Sequence, residues 1–158
     1  MRPDEQVVSG LAARDAQFTR PDGAVIRRLT VSDGEHLSGL SPESAWVMKT
    51  WGGAAGLAAS GYGWGAFADG RCVSVACSFF VGCSYEDLGA VTEAGYEGRG
   101  LSTACSGGLC GDVRGRGRRA SWTTSLDNVA SLRVAQKLGF TRQRSDWLYV
   151  VGVEVPKP

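Results

Sequence analysis

Val91-Thr92-Glu93-Ala94-Gly95-Tyr96-Glu97-Gly98-Arg99-Gly100-Leu101-Ser102 is the stretch on which the fold turns. Residues 85–92 before it have the pattern of a strand. After it, Leu101, Ala104, Cys105, Gly108, Leu109 and Val113 give a helix over 101–113 one apolar or small-residue face. Glycines at 98 and 100 let backbone amides come close to a ligand with no Cβ in the way. The first turn of a helix leaves its amides without internal partners, at the positive end of the helix dipole. Strand, Gly-x-Gly turn and helix together make a candidate diphosphate cradle, although a glycine turn also serves simply to redirect the chain.

Outward from this stretch the chain alternates. A strand is expected over 24–29. The capping-box spacing of Ser32-Asp33-Gly34-Glu35 starts a short helix that ends near Leu40, and Ser41-Pro42 opens a second that fades at Gly52-Gly53. Residues 56–63 read as a small-residue loop, and 64–68 with 72–81 as a hairpin turning at Asp69-Gly70. Beyond the central helix come a strand at 119–125, a helix at 129–138 stopped by Gly139, and a last strand at 147–155. The class is mixed α/β, an α+β sheet flanked by helices. Residues 1–23 are expected to be an N-terminal extension or loosely attached element, and 24–158 a single domain.

Composition narrows the function. Of 158 residues, 17 are Lys or Arg and 16 Asp or Glu, so no global charge draws the chain to nucleic acid or an anionic membrane. Five cysteines without C-x-x-C spacing and a single histidine, His36, argue against a zinc site or a disulfide framework. Cys105 and Cys110 fall inside the helix rather than at its exposed start, so packing is expected of them rather than nucleophilic catalysis. The N-terminal residues show no apolar leader and no apolar run is long enough to span a bilayer. The expected place is the cytoplasm.

A P-loop requires Gly-Lys-Ser/Thr after four spacers, which this chain lacks; a dinucleotide fingerprint requires a third small residue where Thr103 stands. Coenzyme A remains. Over about residues 25–149 the chain resembles the GNAT superfamily of acyl-CoA N-acyltransferases. The family's Gln/Arg-x-x-Gly-x-Gly/Ala turn falls on 95–100. Its Asn-containing loop and following helix fall on Ser125-Leu126-Asp127-Asn128-Val129-Ala130-Ser131-Leu132-Arg133-Val134-Ala135-Gln136-Lys137-Leu138-Gly139-Phe140. Gly95 replaces the usual Gln or Arg, Glu97 stands where an Arg is common, and Ala135 takes the place of a frequent tyrosine acid.

The resemblance implies a GNAT-like fold with a splayed central sheet flanked by helices. It implies acetyl-CoA as co-substrate and no metal, with direct transfer to a primary amine of a small molecule or peptide in a ternary complex. Backbone groups of Ala90, Val91 and Thr92 would meet the pantetheine arm. Gly98, Arg99, Gly100, Leu101 and Ser102 would hold the diphosphate, and Asn128 and Ser131 would lie beside the pantetheine and sulfur. Capping a helix N-terminus is an equal role for the last two. Glu86 is favoured as the base over Asp87, which falls on the other face of the strand; Tyr149, Ser131 or water is left for the acid. Trp46, Trp51, Tyr62, Trp64 and Phe67 could wall an acceptor pocket or belong to the core. Two other readings stay open: a GNAT-like module that binds acyl-CoA without turnover, and a nucleic-acid-binding domain using the Arg-Gly run at 114–119. No nucleic-acid or membrane partner is expected, and a homodimer is possible.

Overall fold

The computed structural model describes residues 17–147. Six strands form one sheet in chain order: β1 (Gln17–Thr19), β2 (Val25–Arg28), β3 (Gly63–Ala68), β4 (Arg71–Val81), β5 (Tyr85–Thr92) and β6 (Arg119–Trp122). The first five pair antiparallel as a meander; β6 lies parallel to β5 after a helical crossover. Asp69 and Gly70, both with positive φ, make the tight β3–β4 turn that two-residue hairpins require.

Helices cover both faces. On one side α1 (Gly34–Ser38), a 3-10 helix (Ala45–Trp51) and α2 (Ala54–Ser60) bury Leu37, Val47 and Leu57 against Val75 and Cys77. On the other, α3 (Leu101–Gly115) and α4 (Val129–Lys137) bury Leu101, Leu109, Val113, Ala135 and Leu138 against Ile26, Val73, Leu88 and Ala120. Neighbouring arginines of β2 tie the sheet to each layer, Arg27 to Asp33 (2.7 Å) and Arg28 to Asp112. The Arg27 guanidinium, helped by the amide and hydroxyl of Thr30, holds the Asp33 carboxyl at about 2 despite its burial.

Several boundaries move from their expected places. The helix start expected at Ser32 is shifted: Asp33 closes a box back onto Thr30 and ends a 3-10 turn, Val31–Asp33. Ser41 caps no helix, because its amide and hydroxyl are both spent on Glu93, and the 3-10 helix begins only at Ala45. The small-residue loop is helix α2. Its composition hides a buried face of Leu57 and Ala58, and Gly56 admits the Trp51 carbonyl into space a Cβ would fill. Residues 17–19, assigned to an extension, pair with β2 as the edge of the sheet. Helix α3 runs on to Gly115, and Gly117 rather than Gly115 takes the left-handed cap, with Gly117 donating to Arg114 and Arg118 to Val113. Gly139 ends α4 in the same way, Phe140 donating to Ala135. The expected strand at 119–125 stops at Trp122. The expected last strand, 147–155, lies outside the described residues except for Trp147, which is not in a strand.

Gly108 sets how closely α3 lies on the sheet. A Cβ there would stand 2.6 Å from the Trp64 indole, which is buried and fixed by its Nε1–H donating to Asp112 (2.8 Å). Alanine would favour the helix by up to about 1 kcal/mol, but the overpacking it forces costs about 1–3 kcal/mol. Gly108→Ala should therefore lower the urea midpoint with an unchanged slope; an unchanged or raised midpoint would contradict this packing.

Candidate active site

β5 is longer than its parallel partner. The β5–β6 ladder ends at the pair Leu88–Trp122, whereas β5 stays paired with β4 out to Thr92. Over 89–92 the edge facing β6 therefore has no strand partner among the described residues. The Glu93 amide donates to Val73 of β4 (2.8 Å), so by strand alternation the N–H and C=O of Ala90 and Thr92 point into the gap and those of Val91 toward β4. β4 bulges between Ser78 and Phe80, beside the point where β5 and β6 part.

A cavity of about 540 Å³ fills the gap. Its walls are residues 88–92 of β5, the glycine turn with Tyr96, Glu97, Gly98 and Gly100, the first turn of α3 at 101–103, the end of β6 with Thr123 and Thr124, and α4. Trp46 also lines it. Gly98 and Gly100 have φ of +74° and +75°, conformations that L side chains rarely adopt, and nothing stands within 4 Å of where a Gly98 side chain would begin. Gly100 caps α3, so the amides of Leu101, Ser102 and Thr103 precede the first intrahelical bond, which Ala104 makes to Gly100. Backbone donors at a helix mouth, with unpaired strand backbone leading away from it, fit a diphosphate joined to an amide-bearing arm.

Ala90, Val91, Thr92, Gly98, Gly100, Leu101, Ser102, Asn128 and Ser131 thus meet on one cavity. Arg99 is not part of its wall: its guanidinium lies over the Tyr96 ring and its carbonyl accepts from Arg20. Asn128 caps α4 by accepting from the Ser131 amide (3.1 Å), and the Ser131 hydroxyl accepts from Trp122 Nε1 (2.9 Å). Of the two, Asn128 takes the capping role, and both border the cavity. The Glu97 carboxylate accepts from the Gly95 amide (2.7 Å) beside the cradle. Tyr149 lies outside the described residues.

The carboxylates separate sharply. Glu86 is fully buried and lines no part of the cavity; its oxygens take Ser78, Arg116 (2.6 and 2.8 Å) and Arg118 (3.0 Å). Burial alone would raise its pKa, but these donors outweigh it and hold the carboxyl below its ordinary 4.5. Glu86 is thus clamped in its charged form behind the site. Asp87, likewise not in the cavity wall, is half-buried on the opposite face of β5, and its Oδ1 accepts from Ser121 (2.7 Å) and from Thr123 (2.9 Å), a cavity residue. Two arginines of the Arg-Gly run are spent inside the molecule, Arg116 also lying over Tyr62. Of the two readings of the aromatic residues, pocket wall or core, packing within the fold holds for most. Trp51 stacks on Tyr62, Trp64 is core, Phe67 lies under Arg27, and only Trp46 of the five reaches the cavity.

Sequence reasoning missed Arg20, whose guanidinium reaches the turn from beyond β1, and the pair Arg133 and Lys137 on the cavity side of α4. The last two carry a readable signal, basic residues four apart on one helix. Cys72, Cys77, Cys105 and Cys110 are buried free thiols, and desolvation pushes Cys72, Cys77 and Cys110 up to about 12. Among the described residues no helix is long and apolar enough to cross a membrane.

The sequence matches the GNAT acetyltransferase family over residues 12–149, and the chain belongs to that family. It is 43% identical over 116 residues to an uncharacterized N-acetyltransferase in the mutA 5′ region of Streptomyces virginiae, a match covering 72% of this chain and 48% of that protein. It is 25% identical over 132 residues to the uncharacterized N-acetyltransferase YdfB of Bacillus subtilis (strain 168), covering 84% and 50%. The chain thus spans about half the length of these curated relatives. Among solved structures, a GCN5-related N-acetyltransferase-like protein from Streptococcus suis 89/1591 shares the fold, with TM-score 0.65, 20% identity and coverage of 87% of this chain and 52% of that one. AAC(6′)-Iy in complex with the bisubstrate analog CoA-S-monomethyl-acetylneamine does so with TM-score 0.60, 23% identity and coverage of 80% and 97%.

The Glu86 clamp carries a pH signature. A carboxyl whose folded pKa lies below its unfolded value stabilises the fold above that value, and the contribution is lost as pH falls through the folded pKa. Wild-type stability should drop as pH falls below about 4.5, and Glu86→Gln should flatten that limb. At pH 7 the variant should lose about 3 kcal/mol in urea unfolding, since two guanidinium groups are left facing a neutral amide. Equal acid limbs in the two proteins would remove Glu86 from this role.

Proposed function

We propose that the chain transfers an acyl group from acyl-coenzyme A, acetyl in the simplest case, to a primary amine of a small molecule or peptide by direct attack in a ternary complex. The observation that carries this reading is the continuity of one cavity from the amides at 101–103 to the unpaired backbone of Ala90 and Thr92. Family membership and the coenzyme A derivative bound to the structurally similar AAC(6′)-Iy support it.

The amides at 101–103 would hold the diphosphate, with Arg20, Arg133 and Lys137 supplying positive charge around it. One N–H of the Ala90 and Thr92 pair would donate to the thioester carbonyl oxygen, where negative charge grows during attack. Coenzyme A supplies the activated acyl group and a thiol leaving group. The amine must arrive uncharged, and Asp87 is the carboxylate we assign to take its proton, Thr123 and Ser121 fixing its orientation. The position from which the family often supplies a tyrosine acid is Ala135, buried in the core. This favours a second reading, a module that binds acyl-CoA without transferring its acyl group.

Thiol release from acetyl-CoA with a panel of primary amines separates the two, read beside calorimetric binding of coenzyme A. Binding with turnover supports transfer, binding without turnover supports the second reading, and no binding rejects both. Asp87→Asn should lower kcat by about 10²-fold or more while leaving coenzyme A affinity unchanged. Full activity in that variant would place the base elsewhere.

A further inference from the structure

We propose that Trp46 is a specificity-determining residue that limits the acyl group of the donor to short chains. This rests on the acyl-CoA reading above and names a property of the same site.

Gly89 is the first residue of β5 beyond the last β6 pair, so it marks the apex of the gap. The Trp46 indole packs over it: a Cβ at 89 would lie 3.3 Å from Cζ3 and 3.4 Å from Cη2, in tight contact. The ring therefore packs against this strand where the gap begins, away from the helix mouth. Residues 89–92 cover about 10 Å of extended chain. A linear donor with its phosphates at 98–102 and its arm along that backbone brings its far end toward this ring.

Trp46 is also braced. Phe79 meets it edge-to-face, with ring centroids 5.5 Å apart at 66°. The segment that carries it is tied to the sheet on both sides, by Ser41 to Glu93 at the end of β5 and by Trp51 Nε1 to the Ser78 carbonyl of β4 (3.0 Å). Swinging the indole aside means breaking an aromatic pair within a segment held at two points. A two-carbon acyl group ends before the ring, whereas a long chain must displace it.

The test is calorimetric titration of the whole chain with coenzyme A, acetyl-CoA, butanoyl-CoA and octanoyl-CoA, for wild type, Trp46→Ala and Trp46→Phe, with thermal melts to establish folding. In wild type, acetyl-CoA should bind as tightly as coenzyme A, and octanoyl-CoA at least about tenfold more weakly, a gap of about 1.4 kcal/mol. Trp46→Ala should close most of that gap. Trp46→Phe, which keeps a smaller ring in place and is the milder change for folding, should narrow it. Wild type that binds octanoyl-CoA as tightly as acetyl-CoA, or an undiminished gap in a folded variant, overturns the inference while the acyl-CoA reading stands. Failure of wild type to bind coenzyme A or acetyl-CoA overturns both.

Discussion

Main-chain polar groups demand partners, and among the described residues, 89–92 of β5 find a strand on one side only. β4 takes one edge of the strand, while the other faces a space that β6 leaves after Trp122. The rest of the site follows from this vacancy. A strand edge inside a domain would ordinarily be covered or paired; here it forms the wall of a cavity whose other end is a helix mouth. The molecule offers an extended ligand one missing strand together with an anion cradle.

The gap needs a closed end as much as an open one. β5 and β6 are clamped near Glu86, whose carboxylate gathers donors from β4 and from the segment between α3 and β6. Beyond the ladder, Trp122 is held by the Ser131 hydroxyl and by contact with Phe140, so β6 is fixed where it turns away. Charge is sorted to match: the buried acid lies behind the sheet junction, while Arg133 and Lys137 lie along the cavity.

Much of this was legible in the sequence, and what was missed has physical reasons. The strand, Gly-x-Gly turn and helix were readable because periodicity changes abruptly there and because positive φ restricts residue choice. Asn128 and Gly139 were readable as helix ends for similar local reasons. The part played by Glu86 was not. A carboxylate on a strand looks the same in sequence whether it faces a ligand or two arginines thirty residues away, and only the crossover brings Arg116 and Arg118 to it. Helix α2 was hidden because small residues dominate it, and its one glycine, Gly56, is explained only by the Trp51 carbonyl beside it. The aromatic residues were left between pocket and core, since spacing does not tell which face of a twisted sheet each will meet. Arg20 gave no local signal at all; its position depends on the whole width of the sheet.

The topology has one more consequence, in the order of assembly. Every ladder from β1 to β5 joins strands adjacent in sequence, though the β2–β3 pair encloses four helical segments. The parallel β5–β6 ladder can close only after α3 has spanned the sheet. Because chain entropy is lost before distant contacts repay it, the meander is the scaffold on which that last ladder is laid. The cavity therefore comes into being with β6, as the stretch of β5 which that strand is too short to reach.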